Sequence, residues 1–389
     1  MSSTLRLFWE AAGGNVPEHW EFKTIDELLE HPKAISVGVM YPGSDSDGGV
    51  PLIKVSDVKS GAIASRPSFC ISNKVDEEYK RTRLNGSELL LTLVGNPGDC
   101  VIVTDEMCGW NVARALAVIR LKDTQLRSWI RYVLASKPAQ HLIEARLNTT
   151  VQKTLNLKDV REIGIPIPPK EERDSITKTI DSIEKKTLIN TKINQTLESI
   201  AQAIFKSWFI DFDPVRAKIA AKQNGEDPEL AAMCAISGKS EEELQQMPEE
   251  DLTELQATAA LFPDELVESE LGEVPKGWSI TKVDDILNRI KIKKRFKKND
   301  VNSFGRTFVL EQGSNVILGF HNEEGSIPAS KEEPAFIFGD HTCITKLMLS
   351  NFDVSENVIA VTGKKRNSYW TYYAIKDLQK FQEYRRHWM

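Results

Sequence analysis

The 389-residue sequence contains no long apolar run. A membrane-spanning helix needs about eighteen or more consecutive apolar residues, and no such stretch occurs, so we predict no span and no membrane partner. The first residues, MSSTLRLFWEAAGG, lack the basic region and apolar core of a signal peptide. These two absences predict a cytoplasmic protein.

Cysteine is scarce, and no two cysteines have the CxxC spacing of a zinc or redox motif. An odd number of scattered cysteines predicts reduced, free thiols in a reducing compartment. The nearest approach to a metal site is His341 and Cys343 beside Asp340, and no second ligand pair follows. We therefore predict no metal site. The five cysteines are Cys70, Cys100, Cys108, Cys234 and Cys343.

Catalytic motifs are also missing. The turn Asn96–Asp99 lacks the second proline and the aromatic residue of an amine methyltransferase clamp. The tripeptide that begins at Gly238 matches the tail of a phosphate-binding loop, but Met233 occupies the position of the required earlier glycine. Neither Gly-x-Ser-x-Gly nor His-Glu-x-x-His occurs. No catalytic residue is assigned, and the sequence predicts a protein that is not an enzyme.

Negative charge is concentrated in one segment. Residues 224–274 contain fifteen acidic side chains and the single base Lys239, although the whole chain has a net charge of only −6. The remainder therefore has a net charge of +8, which is compatible with nucleic-acid binding. We interpret residues 216–272 as an acidic linker.

Residues 168–208 predict one long helix, because they follow a Pro-Pro pair and contain no further proline and no glycine. Apolar residues recur on a 4-then-3 spacing that is typical of a coiled-coil seam. Thr187, Asn190 and Asn194 interrupt that seam. About forty residues would extend about 60 Å, which favours a spacer over an ordinary core helix. The residues predicted to pack against a partner are Ile176, Ile180, Ile183, Leu197, Ile204 and Trp208.

An internal repeat links the two ends of the chain. NVPEHWEFKTIDELL begins at Asn15 and EVPKGWSITKVDDIL begins at Glu273, so that Val, Pro, Trp, Asp and Leu recur at an offset of 258. The repeat predicts two modules of common design. Strand-like runs such as ELLLTLV and CVIVT, mixed with helical stretches, predict an α+β fold around a curved sheet. We predict a first module at residues 1–167, a spacer helix region at 168–215 and a second module at 273–389.

Basic residues are the candidate DNA contacts, since lysine and arginine neutralise phosphates. The second module carries RIKIKKRFKK, in which seven of ten residues are basic, and a basic turn near its end. A charge run can also be an ordinary solvated surface. The candidates are Lys74, Lys80, Arg81, Arg83, Arg289, Lys291, Lys293, Lys294, Arg295, Lys297, Lys298, Lys364, Lys365 and Arg366.

Several of these segments together resemble one family. WNVARALAVIRL, LNLKDVREIGIPIPPKEERDSI, AIFKSWFIDFDPVRAK, TAALFPDELVESELGEVPKGW and ILGFHN with IFGDHTC resemble the specificity subunit of type I restriction-modification enzymes over nearly the whole chain. The resemblance implies two target-recognition domains, each for one half of a bipartite site in double-stranded DNA. Two antiparallel helices would separate them, and the second helix would follow residue 389, so the second domain looks truncated before that helix.

The family also implies the partners, which are modification (methyltransferase) subunits and restriction (endonuclease and translocase) subunits. S-adenosylmethionine, ATP and Mg²⁺ are expected only in those partners, and no cofactor is expected here. The spacer helix could also mediate self-association. A scaffold or adaptor protein, whose long helix binds protein partners and whose basic patches are incidental, is the alternative function. A self-contained nuclease is a third reading, without an acidic cluster to support it.

Overall fold

The structure is a computed structural model that describes residues 2–59, 61–63, 65–147, 153–270, 272–313, 315–339 and 341–378. The chain divides into two compact units, residues 1–189 and residues 190–389, and the division falls within the long helix. Each unit is described by itself. The predicted boundaries at residues 167, 215 and 272 stay predictions.

A four-stranded antiparallel sheet forms the centre of the first module. Leu89–Thr92 and Cys100–Ile102 are joined by the predicted GNPGD turn and pair directly. Leu89 and Leu91 face one apolar cluster and Leu90 faces another, because successive side chains of a strand point to opposite faces. Burial on both faces explains the uninterrupted leucine run. The strand order is Ile35–Val37, Leu116–Ile119, Leu89–Thr92 and Cys100–Ile102.

A second, three-stranded sheet is fixed by a buried polar group. Val50–Ile53 pairs antiparallel with Cys70–Ile71 and parallel with Asn111–Val112. The Asn111 side chain is fully buried, donates to Asp76 Oδ1 at 2.9 Å and accepts from Thr82 Oγ1 at 2.7 Å. Buried polar groups need such partners. This network therefore ties the connection that carries Lys80 and Arg83 to the sheet.

Helices and a two-stranded ribbon cover the central sheet. We predicted one helix over residues 128–145, but the structure has Arg127–Ala135 and Lys137–Glu144. The prediction was wrong at Ser136, because Pro138 has no N–H to continue the helix. Further elements of this module are Ser2–Ala11, Glu21–Thr24, Ile25–Leu28, Val58–Lys59, Ala62–Ile63, Asn73–Glu78, Leu157–Arg161 and Gly164–Ile167.

The second module repeats this strand order. Its four-stranded antiparallel sheet and its three-stranded sheet have the same neighbours and the same directions as those of the first module. The predicted α+β fold with two modules of similar design is confirmed. The four strands are Leu287–Arg289, Val358–Gly363, Ala335–Gly339 and Thr345–Met348, and the three are Ile317–His321, Thr307–Leu310 and Asp353–Val354.

The sequence repeat at offset 258 corresponds to a structural repeat. The helices Ile25–Leu28 and Val283–Ile286 occupy equivalent positions. The carbonyl oxygen of Leu28 accepts from the backbone N–H of Lys122 at 3.0 Å, and that of Ile286 accepts from Lys364 at 2.7 Å. Each short helix is thus joined to the end of a matching sheet strand.

The spacer helix spans Lys170–Phe209, forty residues that extend about 60 Å at 1.5 Å per residue. Beyond its end, Phe212 adopts a left-handed conformation, and the next helix begins at Asp213 with Pro214 in its first turn. Its exposed apolar stripe passes through Ile189 and Ile193, each one residue before the polar seam positions Asn190 and Asn194. Over this part of the helix, the exposed apolar residues therefore lie beside the predicted seam and not on it.

The acidic segment contains several helices. Its helices enclose a small core of Ala232, Met233, Leu244 and Ala259. Buried Lys218 donates to Glu229 Oε1 at 2.6 Å and to the carbonyl oxygen of Phe262 at 2.9 Å. The sequence pattern predicts helices from Pro228 and from Glu241, the second broken at Pro248, and all three pieces are present. At Asp213-Pro214 the pattern predicts only a break, whereas the structure has the helix Asp213–Asn224. The elements are Asp213–Asn224, Pro228–Ser237, Glu241–Gln245, Glu249–Ala259, Leu266–Ser269 and Gly272–Pro275.

A last helix, Ser368–Leu378, begins where the sequence predicts one. Residues 379–389 of that prediction lie outside the described residues, as does Asp340. Within the described part of the chain, no second helix approaches forty residues, and the next longest is Asp213–Asn224 with twelve.

The buried asparagine gives a test of the fold. Replacing Asn111 with Ala removes the buried donor to Asp76 Oδ1 and one of the two acceptors of the Thr82 hydroxyl, so we expect the first module to lose about 1–3 kcal/mol of stability. Hydrogen exchange of the full chain under mild denaturant, followed over residues 50–53 and 111–119, measures that loss. Asn96→Ala is the control, because Asn96 is exposed and a surface change of this kind costs about 0.5 kcal/mol or less. Equal protection in both variants would contradict the role of Asn111.

Candidate nucleic-acid interface

The predicted basic residues of the first module are partly engaged in ion pairs. Arg83 Nε donates to Asp76 Oδ2 at 2.8 Å and its Nη2 donates to Glu77 at 3.1 Å. The hydrogen bonds to Asp76 and then to Glu77 raise the pKa of Arg83 above its usual value. Lys80 lies 3.2 Å from Glu77, and its hydrogen bond lowers the pKa of that carboxyl. Arg83 therefore has a structural role in this module.

The other two candidates of this module are exposed and have no acidic partner within salt-bridge distance among the described residues. Lys74 lies in the helix Asn73–Glu78. Arg81 follows in the next turn, where its carbonyl oxygen accepts from Arg120 Nη1 at 2.8 Å. These two side chains can reach phosphate without breaking an ion pair.

The basic segment of the second module, residues 289–298, is attached to the sheets by Phe296. The Phe296 ring is buried and stacks on His321 with centroids 4.7 Å apart and planes 5° apart. His321 Nε2 lies 3.0 Å from Asp353 Oδ2, and Asp353 also accepts from the backbone N–H of Ser326. The Lys294 ammonium lies 4.4 Å from the Phe296 centroid. An aromatic anchor thus fixes the middle of an otherwise charged segment.

Arg295 is also engaged with the protein. Its Nη1 donates to the carbonyl oxygens of Ser355 and Val358 at 2.8 and 2.9 Å. Arg289 lies 4.0 Å from Asp284 and Lys297 lies 3.9 Å from Glu356, both at the limit of an ion pair. In the described chain, the segment's exposed bases without an acidic neighbour within 4.0 Å are Lys291, Lys293, Lys294 and Lys298.

The third basic cluster, Lys364–Arg366, forms the turn before the last helix. Lys365 has a positive φ of 57°. Asn367 Oδ1 accepts from the backbone N–H of Tyr369 at 2.8 Å, and the Arg366 guanidinium lies 6.0 Å from the Trp370 ring. All three basic side chains are exposed. The turn presents them together at the end of a strand.

Two basic clusters of the second module lie at opposite ends of the strand Val358–Gly363. Arg289 is opposite Val361 and Phe296 forms a bridge with Ser355, so residues 289–298 run toward the start of that strand. Residues 364–366 follow its end. Six residues of strand extend about 17 Å. The clusters therefore form two separate patches.

The equivalent strands of the first module reveal which patch is shared. Val39 forms a parallel bridge with Ala113, just as Phe296 forms one with Ser355. Residues 38–49 of the first module are therefore the counterpart of the basic segment. They contain no lysine or arginine. Lys80 and Arg81 instead lie beside Arg120, at the end that corresponds to Lys364. Among the predicted residues, only that end carries bases in both modules. Sequence spacing could not show this, because the offset between equivalent residues changes along the chain, from 257 between Leu52 and Val309 to 242 between Asn111 and Asp353.

Residues 38–49 contain a feature that charge counting missed. Tyr41 is 77% exposed, next to exposed Met40, and Arg114 Nη1 lies 3.8 Å from the Met40 sulfur. The turn-rich composition YPGSDSDGG was the signal for an exposed loop, but it carried no positive charge. Its equivalence to the basic segment makes this loop a candidate contact surface.

The predicted helix-packing residues have different environments. Ile176 packs against the apolar core of the first module, and Ile180 is half-buried. Trp208 makes an edge contact with Phe262, with centroids 5.7 Å apart. Ile183, Leu197 and Ile204 remain exposed and contribute to a stripe along the helix. That exposed stripe is Ile183, Ile189, Ile193, Leu197, Ile200 and Ile204, and Leu188 is exposed on another side of the helix.

No group of three or more His, Cys, Asp or Glu side chains among the described residues could hold a metal ion. Burial raises the pKa of the Cys100 thiol to about 12. Within the described ranges, no helix is both long and apolar enough to cross a membrane.

The stacked anchor of the basic segment can be tested directly. Phe296→Ala removes a buried ring, so we expect a loss of about 3–5 kcal/mol. Loss of the stack on His321 should also release the surrounding lysines, which limited trypsin digestion of the full chain detects as faster cleavage between Lys291 and Lys298. Phe304→Ala is the matched control, because Phe304 is 75% exposed. Equal cleavage rates in the two variants would contradict the anchor.

Comparison with known proteins finds a family match that includes most of the first module. Residues 17–199 match the family model described as type I restriction modification DNA specificity domain. Over 156 residues the chain is 44% identical to the type I restriction enzyme HindI specificity subunit of Haemophilus influenzae. This alignment covers 37% of this chain and 34% of that protein. It is 28% identical over 233 residues to the EcoBI specificity subunit of Escherichia coli, covering 58% of this chain and 46% of that protein.

A solved structure of a type I restriction-modification system S subunit from M. genitalium is 15% identical, with a TM-score of 0.44, and covers 94% of this chain and 79% of that one. The chain spans about a third to a half of the length of the two curated relatives. The family match agrees with the resemblance found in the sequence over residues 17–199. Residues 17–199, which comprise most of the first module and the first part of the spacer helix, are therefore similar to a type I restriction-modification DNA specificity domain.

Proposed function

We propose that this chain is the DNA sequence-recognition subunit of a type I restriction-modification complex and that its two modules recognise the two halves of a bipartite site. The observation that carries the proposal is the repeated strand order. One module lies within a DNA specificity domain match, and the other has the same seven strands with the same neighbours and directions. Two recognition modules in one chain suit a site with two separate halves.

The chain supplies recognition, and its partners supply the chemistry. S-adenosylmethionine, ATP and Mg²⁺ belong to the modification and restriction subunits in this proposal, and methylation and cleavage take place there. The absence of catalytic motifs from the sequence supports this division. The exposed stripe from Ile183 to Ile204 supports a protein partner on the spacer helix, because an apolar stripe of that length is costly to leave in water.

The alternative is a scaffold or adaptor whose long helix binds proteins and whose basic surfaces are incidental. The same exposed stripe favours it. The two proposals differ in their response to DNA, because an adaptor has no sequence preference at any salt concentration. A third proposal, self-association through the helix, is compatible with either.

The exposed lysines of the basic segment test DNA contact. Lys293→Ala with Lys298→Ala removes two bases that have no acidic neighbour within 4.0 Å among the described residues, so the fold should be unaffected. If each contacts one phosphate of duplex DNA, the slope of log Kd against log salt should fall by about 0.9 per contact, or about 1.8 for both. Fluorescence anisotropy on the complex with its modification subunits measures the slope.

The control changes the same charge elsewhere. Lys239→Ala with Lys282→Ala removes two exposed lysines outside all predicted contact clusters, and its salt slope should equal that of the unmodified protein. Identical slopes in all three proteins would show that the basic segment is a solvated surface.

The spacer helix gives a second test. Inserting four helix-forming residues between Lys185 and Leu188 lengthens the helix by about 6 Å and nearly restores its face, at 3.6 residues per turn. One base-pair step is about 3.4 Å. In a chain whose second helix is lengthened to match, methylation mapping should therefore find the same half-sites with a gap longer by about one or two base pairs. An unchanged gap would show that the helix does not set the separation.

A further inference from the structure

The two modules share a helix that lies outside the sequence repeat at offset 258. The helix Arg127–Ala135 contains Trp129 and Tyr132, and the helix Ser368–Leu378 contains Trp370 and Tyr373 at the same spacing. Both helices follow equivalent strands, Leu116–Ile119 and Val358–Gly363. The offset of 241 differs from the 258 of the entry repeat, so the correspondence becomes visible only through the fold.

In the first unit, this helix contacts the spacer helix through polar groups, here called the first anchor. Tyr132 Oη donates to Asp181 Oδ1 at 2.5 Å and to Glu184 Oε2 at 3.0 Å. Arg131 Nη1 donates to the same Glu184 oxygen at 2.7 Å. Burial, followed by these hydrogen bonds, raises the pKa of the Tyr132 phenol above its usual value. The phenol therefore remains a hydrogen-bond donor throughout the neutral range.

In the second unit, the equivalent tyrosine makes the second anchor. Tyr373 Oη donates to Glu198 Oε2 at 3.2 Å, and Lys376 Nζ forms an ion pair with Glu198 Oε1. Burial and then the charge of Glu198 raise the pKa of Tyr373 to about 12. Burial alone would raise the pKa of Glu198, but hydrogen bonds from Lys376 and Gln202 lower it. Glu198 is therefore a carboxylate at neutral pH.

The distribution of acids along the spacer helix makes each anchor specific for one register. Residues 185–197 contain no Asp or Glu, and neither do residues 199–209. A slip of the second module by one turn, about 5.4 Å, in either direction would therefore leave Tyr373 without a carboxylate. A slip of the first module by one turn would leave Tyr132 with one acid in place of two, because Asp181 and Glu184 are themselves about one turn apart. Charge-assisted hydrogen bonds to a carboxylate are also strong and directional. Each tyrosine thus has one favourable position on the helix.

We propose that Tyr132 and Tyr373 are positioning residues, each fixing one recognition module to the spacer helix in a single register, so that the gap between the two half-sites has one length. This inference rests on the proposed function. A long helix can determine a separation only if the modules cannot slide or tilt on it. The tyrosines act through Glu184 and Glu198 and need not contact DNA.

The test is methylation mapping of genomic DNA from cells that express each variant with the native modification subunits. Tyr132→Phe, Tyr373→Phe and the double variant keep the rings but lose the anchoring hydroxyls. We expect unchanged half-sites and, in the double variant, about a tenfold higher share of methylated sites whose gap differs by one base pair. The control is Tyr369→Phe, whose hydroxyl donates to the carbonyl oxygen of Lys331 within the second module.

The measured quantity is a ratio among methylated sites, so it does not depend on how much complex folds. The inference would be overturned if the double variant gave the same share of sites with a changed gap as the unmodified protein. Altered half-sites would also overturn it. If a Phe variant gives no methylation, the variants Glu184→Gln and Glu198→Gln test the inference instead. They keep an acceptor oxygen but lose the charge. Their share of sites with a changed gap should therefore lie between that of the unmodified protein and that expected for the double Phe variant. Failure of the proposed function is distinguishable, since the unmodified protein would then direct methylation to no bipartite motif.

Discussion

The structure depends on how the spacer helix is held within each unit. A forty-residue helix with a mostly polar surface gains little stability by itself, and packing must supply the rest. At its start, Glu172 Oε2 accepts from Trp20 Nε1 at 2.9 Å, and Trp20 makes an edge contact with Trp129. At its end, Phe209 stacks on Trp278 with centroids 5.8 Å apart. Trp20 and Trp278 are the repeated tryptophans, so the same residue of each module binds the helix.

Much of the fold could be predicted from the sequence because it depends on local patterns. Apolar runs bounded by turns with glycine and proline predicted the central strands. The absence of proline and glycine predicted the long helix. The errors have local physical causes. The break at Ser136 depends on one proline, and the helix Asp213–Asn224 begins at an Asp-Pro pair that we took only as a break. The small core of the acidic segment could not be read from the sequence, because it consists of only four small or medium side chains.

The candidate interface was harder to predict, since charge does not show which bases are engaged. Arg83 and Arg295 belong to basic clusters in the sequence, yet one pairs with buried Asp76 and the other donates to two backbone carbonyls. The equivalence of residues 38–49 to the basic segment depends on strand pairing, which no local pattern encodes. The tyrosine anchors were missed for the same reason, because each joins residues about fifty or more positions apart.

The central proposal is that this chain, through its two modules, selects a bipartite DNA site for modification by partner subunits. Methylation mapping of DNA from a host that carries the chain and its modification subunits tests that claim most directly, with a host that lacks only this chain for comparison. The account predicts one non-palindromic motif with two specific halves and a fixed gap, methylated only when the chain is present. Methylation at the same motif without the chain, or a motif with a single half-site, would contradict it.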